Sequence, residues 1–171
     1  MGLDPETRLT LDQIPLLEAP SGLGIDRALG GWQAWCESRG PVLVADAGTA
    51  LSLTRVDGDG RFVGGRLQAG AGLQWKALAE GTAALPLVKA NCSFHGNAWP
   101  SDTTAALRVG VLRGLAAAVK EAWMEARQHS CDCRLWITGG DGPALSALLD
   151  EPCDDSLVLR GLARFSPDLN R

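Results

Sequence analysis

At 171 residues the chain suits one domain with a substantial core, or a large lobe of something bigger. Its 46% hydrophobic and 21% charged residues are a globular composition, and a net charge of −4 without any basic run argues against a nucleic-acid footprint. No apolar stretch reaches membrane-spanning length and the N-terminus lacks a basic-then-apolar leader, so a cytoplasmic chain without nucleic-acid or membrane partners is expected.

In chain order, residues 1–20 read as a connector, with polar and proline positions around Thr10–Leu17 and room for one short edge strand. Leu23-Gly24-Ile25-Asp26-Arg27 leads into Ala28–Cys36, where Leu29, Trp32 and Cys36 share one face at helical spacing. Ser38-Arg39-Gly40-Pro41 ends that helix. Asp26 and Arg27 therefore fall in its first turn. One reading makes Asp26 a helix cap favoured by the dipole. The other makes it a proton acceptor beside an arginine fork that grips a carboxylate.

Val42-Leu43-Val44-Ala45 is short and β-branched, the pattern of a buried strand. Asp46-Ala47-Gly48-Thr49-Ala50 follows, then Leu51–Val56, the turn Asp57-Gly58-Asp59-Gly60, and a third strand opening at Arg61-Phe62-Val63-Gly64-Gly65. A carboxylate, a glycine and a hydroxyl thus meet at a turn between strands. Gly48 has no Cβ and can adopt φ > 0, and the turn's amides with the Thr49 hydroxyl suit phosphate oxygens. Asp46 suits a cation or a water. An ordinary hairpin with a polar corner accounts for the same residues.

The third strand runs out at Arg66–Gly70, and a helix is expected from about Leu73 to Glu80. Gly70 and Gly72 are not a dinucleotide fingerprint, because Trp75 stands where the third glycine belongs. A loop over residues 87–101 holds Asn91, Cys92, His95, Gly96, Asn97 and Pro100, with His95 read as a surface residue. Ser101 or Asp102 then caps the longest helix, about Thr103–Gln128. Leu107, Val111, Leu115 and Val119 form its packing face, flanking a small-residue stripe of Gly110, Gly114 and Ala118. That stripe suits either core packing or a subunit interface.

Cys131 and Cys133 lie too close for zinc spacing, and no second pair follows. With Cys36, Cys92 and Cys153 they make five thiols, an odd number in a chain without a leader, and are expected reduced. Arg134–Thr138 reads as a strand, Gly139-Gly140-Asp141-Gly142 as a glycine turn suited to nucleotide approach, and Pro143–Leu149 as a helix. Leu157-Val158-Leu159 reads as a last short strand, and Gly161–Phe165 as a last short helix.

The order of these segments is more specific than any one of them. Gly-x-Asp-Arg, Asp-x-Gly-Thr-Ala, Gly-Gly before a helix, Asp-Thr opening a long helix and Thr-Gly-Gly after a strand resemble the type III pantothenate kinases, from about Leu11 to the C-terminus. The resemblance implies an α/β fold of the actin-like, ribonuclease-H-like ATPase superfamily, a mixed sheet flanked by helices. Residues 1–40 would form the interlobe connector and first helix, and 41–171 the C-terminal lobe. It further implies that ATP, with Mg²⁺ on its phosphates, phosphorylates pantothenate to 4′-phosphopantothenate, opening coenzyme A synthesis. Gly24, Ile25, Asp26 and Arg27 would bind pantothenate, with Asp26 the catalytic base, and Thr103 would contact the substrate. Gly48, Thr49, Thr138, Gly139 and Gly140 would bind ATP. Asp46 would hold a monovalent cation, K⁺ or NH₄⁺. A homodimer is implied as well.

Two departures qualify that resemblance. The family's Asn-Thr reads Asp102-Thr103 here, and its opening phosphate loop, Asp-x-Gly-Asn-Thr, has no counterpart in this sequence. An N-terminal lobe largely absent implies an incomplete kinase with exposed apolar inter-lobe surface. A non-catalytic ligand-binding or regulatory relative is the alternative. A sugar or acetate kinase of the same superfamily is opposed by Gly-Ile-Asp-Arg.

Overall fold

A computed structural model describes residues 9–88 and 97–165 of the chain. Residues 1–8 of the connector, and Asn91, Cys92, His95 and Gly96 of the loop, lie outside them. The stretch from Val42 to Ala69 folds as a meander. Strand β1 (Val42–Ala47) turns at Gly48-Thr49 into β2 (Ala50–Val56), which returns as β3 (Phe62–Ala69). Asp57 organises the second turn, its Oδ1 accepting from the Asp59 and Arg61 amides at 3.0 and 2.9 Å. Much later in the chain, β4 (Arg134–Thr138) pairs parallel with β1 and sets Thr138 opposite Asp46. The order is β3-β2-β1-β4, with both meander pairs antiparallel. This is the ribonuclease-H-like mixed sheet that the resemblance implied.

A parallel return requires a crossover. Helices α1 (Ile25–Ser38), α2 (Ala71–Gly81), α3 (Thr103–His129), α4 (Gly142–Leu149) and α5 (Leu157–Ala163) cover both faces of the sheet, α2 and α3 lying in that crossover. Side chains alternate along β1, so Leu43, Ala45 and Ala47 face one way and Val42, Val44 and Asp46 the other. The first set packs with α2, α3 and α4, around Trp75, Leu112, Leu115, Val119 and Leu145. Val42 and Val44 pack with α1, α5 and the incoming residues Ile14, Leu16 and Leu23. Asp46 therefore belongs to the α1 face. Among the described residues, no helix is long and apolar enough to cross a membrane.

Three expectations are corrected. Leu157-Val158-Leu159 is the first turn of α5 rather than a strand. A three-residue apolar run cannot distinguish the two by itself, and the buried pair Leu157 and Gly161 has helical spacing. Asp154 sets that start, its Oδ1 accepting from both the amide and the hydroxyl of Ser156. Helix α2 begins at Ala71, two residues early. The small-residue stripe is not core packing: Gly110 and Gly114 are exposed while Val111, Leu115 and Val119 are buried.

Helices α1 and α5 pack backbone to backbone. A Cβ on Gly161 would stand 3.0 Å from the Leu29 carbonyl oxygen. Arg160 ties the pair, donating from Nη1 to Asp154 at 2.8 Å and from Nε to Glu37 of α1 at 3.1 Å. The hydrogen bond from Arg160 holds the Asp154 carboxyl down at about 2, against a burial effect that raises it. Such a depressed carboxyl stabilises the fold above its unfolded value, and the gain fades as pH falls through the folded one. Asp154→Asn should cost about 1 kcal/mol near neutrality, allowing for solvent screening of this partly exposed pair. Denaturant titrations should show that gap closing between about pH 4 and pH 2.

Candidate active site

The polar residues singled out in the sequence gather where β1 and β4 end, on the α1 face. Register puts Ser52, Asp46 and Thr138 in one row across β2, β1 and β4. Ser52 and Thr138 are buried, so a polar row crosses this face, with buried Thr54 two residues further along β2. Asp46 is half-buried at its centre. Burial raises its carboxyl above the ordinary range, and the negative charge of Asp26 adds to the rise. The charge of Asp26, 20 positions away in sequence, thus acts on Asp46. A cation beside Asp46 would offset the rise, and oxygen donors suit Mg²⁺, K⁺ or NH₄⁺.

Asp26 reaches this place because α1 starts at Gly24. Gly24 is the N-cap, so Asp26 is the second residue of the helix rather than the cap itself. Its Oδ1 accepts from the Arg27 amide at 2.8 Å and would stand 2.5 Å from a Cβ on Gly24. A side chain at Gly24 would make that carboxylate shift from its place over the helix entrance. Gly24, Ile25 and Asp26 are all exposed there, open to a ligand.

The Gly48-Thr49 turn is tight. The Gly48 amide is spent on the Ala50 carbonyl at 3.1 Å, and Gly48 is not among the positive-φ glycines, which are Gly60, Gly64 and Gly139. What this turn offers outward is the exposed Thr49. Gly70 closes on it from behind, its amide donating to the Thr49 carbonyl at 3.0 Å. A Cβ on Gly70 would overlap the Gly48 carbonyl and come within 2.7 Å of that of Thr49.

The loop after β4 forms the opposite wall. Thr138 is 2% exposed, so its hydroxyl serves the polar row, while Gly139 and Gly140 carry the accessible backbone. Gly139 has φ +90°, and a Cβ on it would overlap the Asp46 carboxylate. Asp141 comes next, and sequence reading passed over it. Its amide donates to the Ala47 carbonyl at 2.8 Å. Burial raises the Asp141 carboxyl, and the Ala71 amide at the start of α2 partly offsets this. The loop after β4 is thereby tied through its backbone to the end of β1.

Thr103 stands on a different wall. It lines a groove of about 400 Å³ between α2 and α3 with Gln74, Leu78, Leu85, Leu107 and Gly110. Asp102, which replaces the expected asparagine, caps α3 by accepting from the Ala105 amide at 2.8 Å. Aspartate and asparagine cap equally well, and the added negative charge meets the positive end of the helix. The substitution is locally self-consistent.

A family model described as type III pantothenate kinase matches residues 6–125. The chain belongs to the type III pantothenate kinase family. Type III pantothenate kinase from Synechococcus elongatus is 38% identical over 166 residues, covering 95% of this chain and 66% of the relative. That from Thermosynechococcus vestitus is 41% identical over 162 residues, 90% of this chain and 63% of the relative. The chain thus spans slightly under two thirds of the length of these relatives. Among solved structures, one described as a Baf family transcriptional activator from Campylobacter jejuni superposes with a TM-score of 0.65 at 26% identity. It covers 91% of this chain and 70% of that one.

Proposed function

We propose that this chain supplies the acceptor side and the adenosine side of an ATP-dependent pantothenate kinase active in the cytoplasm, forming 4′-phosphopantothenate. The observation that supports the reading is that Gly139, after β4, leaves its side-chain space to the Asp46 carboxylate of β1, on which the charge of Asp26 at the start of α1 also acts. Asp26, exposed at the start of α1, is placed to take the proton of the substrate's primary hydroxyl. Arg27 beside it suits the pantothenate carboxylate. Thr49 and the Gly139-Gly140 backbone suit the phosphates and adenosine of ATP. Asp46 would hold a monovalent cation, and Mg²⁺ would accompany ATP; such ions supply charge neutralisation to phosphoryl transfer, which is otherwise largely a matter of positioning. Thr103, on its separate wall, fits a substrate contact completed by a second copy in a homodimer.

The test is ADP release by the purified chain with ATP, Mg²⁺ and pantothenate, in K⁺ and in Na⁺. Turnover that requires pantothenate and rises with K⁺ is the expected result. A folded chain that binds pantothenate and ATP without turning them over would favour the non-catalytic, ligand-binding relative. A folded chain that binds neither would sink both readings.

A further inference from the structure

Arg27 is held by Leu53 and Thr54, which no motif includes. Its Nε donates to the Thr54 hydroxyl at 3.1 Å and its Nη2 to the Leu53 carbonyl at 3.3 Å, both on β2. The guanidinium carbon lies 5.9 Å from the centre of the Phe62 ring on β3. Thr54 pairs in register with Gly65, and a Cβ on Gly65 would overlap the Arg27 Nη2. The space that the guanidinium occupies is therefore space that Gly65 leaves empty.

The edge strand is shaped for this. Val63 is an extra residue between the pairs Arg55–Gly64 and Val56–Phe62, and Gly64 takes φ +123°. A bulge at an edge re-aims its neighbours. Here it brings Phe62 beside the guanidinium while Gly65 keeps the sheet face bare. Thr54 is 1% exposed, a buried hydroxyl in a β2 row whose other members at that depth are apolar or Ser52. A buried hydroxyl needs a partner, and the Arg27 Nε is it.

We propose that Thr54 and Gly65 are positioning residues that fix the Arg27 fork for a substrate carboxylate, and so set preference for an acid over its neutral analogue. The inference rests on the pantothenate-kinase reading. A guanidinium carries five N–H groups in one plane. Among the described residues two of them are engaged with β2, which leaves three for a ligand. The Thr54 bond decides which edge of the plane faces outward. Without it, the arginine keeps its charge and loses its aim, and a planar two-point grip depends on aim.

Thr54→Val keeps the β-branched shape and removes the acceptor; Thr54→Ser keeps the acceptor. Titration calorimetry would compare pantothenate with panthenol, which has a hydroxymethyl group in place of the carboxylate. Thr54→Val should weaken pantothenate binding about tenfold and panthenol binding less than about twofold, whereas Thr54→Ser should stay near wild type on both. Thr54→Ala is the second variant should the valine chain fail to melt cooperatively, and the same split is expected of it. Equal losses on both ligands, or no loss on pantothenate, would overturn the positioning role while leaving the kinase reading intact. A wild-type chain that does not bind pantothenate would remove the kinase reading and this inference together.

Discussion

Asp26→Asn should lower pantothenate-dependent ADP release by about 10²–10⁴-fold, the range for losing a positioned general base. The amide cannot accept the hydroxyl proton, yet it preserves the local geometry. Its oxygen can still accept from the Arg27 amide, as Oδ1 does at 2.8 Å, and the side chain remains small enough to lie over Gly24. Two stability effects oppose each other. Losing a negative charge in the first turn of α1 gives up about 0.3–1 kcal/mol of dipole interaction. Losing it beside Asp46 relieves a buried carboxyl whose affinity for protons is raised partly by Asp26. A folded-state value raised in this way costs stability at neutral pH, so the relief is a gain. The net change should lie within about 0.5 kcal/mol, and ATP binding should persist. Turnover close to wild type would remove Asp26 from the chemistry, whatever the fold does.

The sheet was legible in the sequence because its strands carry strong local signals. Val42–Ala45 and Leu51–Val56 are apolar runs bounded by Gly-rich turns, and Asp57–Gly60 makes the meander almost obligatory. The long α3 was equally plain, since Val111, Leu115 and Val119 recur at helical spacing and Asp102 announces the cap. The misread element, α5, is short, and its start is fixed by Asp154, which holds Ser156 and Arg160, and by the reach of Arg160 to Glu37 of α1. Trp75 was read only as an obstacle to a dinucleotide motif. It is 1% exposed in the core, its Nε1 donating to the Leu107 carbonyl at 3.2 Å, and so helps lock α2 to α3.

The site was legible as an ordered set of motifs and illegible in its supports. Asp26, Asp46, Thr49 and Gly139 could be picked out because each sits at a turn or a helix start. Thr54 and Asp141 could not. Thr54 looks like any strand threonine until β3 is folded beside it with Gly65 opposite. Asp141 looks like a loop residue, or a cap for α4, and makes no side-chain cap bond there. Its backbone amide instead ties the loop to Ala47 of β1, at 2.8 Å. Sequence marks the candidate groups at turns and helix starts; the groups that hold them arise from pairings between distant segments.

That distinction separates two glycines that any motif treats alike. Gly139→Ala should destabilise the protein by about 3–4 kcal/mol, and Gly140→Ala by less than about 1. Gly139 has φ +90°, where an L side chain is strained at a cost of about 1–3 kcal/mol. Its new methyl would also overlap the Asp46 carboxylate and stand 2.6 and 2.7 Å from the carbonyl carbon and the nitrogen of Ala47. Two of those neighbours are backbone of the central strand, so they cannot turn aside as a flexible side chain would, and forced displacement adds about 1–3 kcal/mol. Gly140 has no atom within 4 Å of its Cβ position and is absent from the positive-φ glycines. For a chain of this size each kcal/mol moves the melting midpoint by about 2–4 °C, so Gly139→Ala should melt roughly 6–16 °C lower. Because the methyl presses on Asp46 first, the proposed cation site predicts that any K⁺ dependence of ligand binding should weaken in whatever protein remains folded. Equal melting of the two variants would mean that Gly139 does not lie against Asp46, and the account of the cation end of the site would go with it.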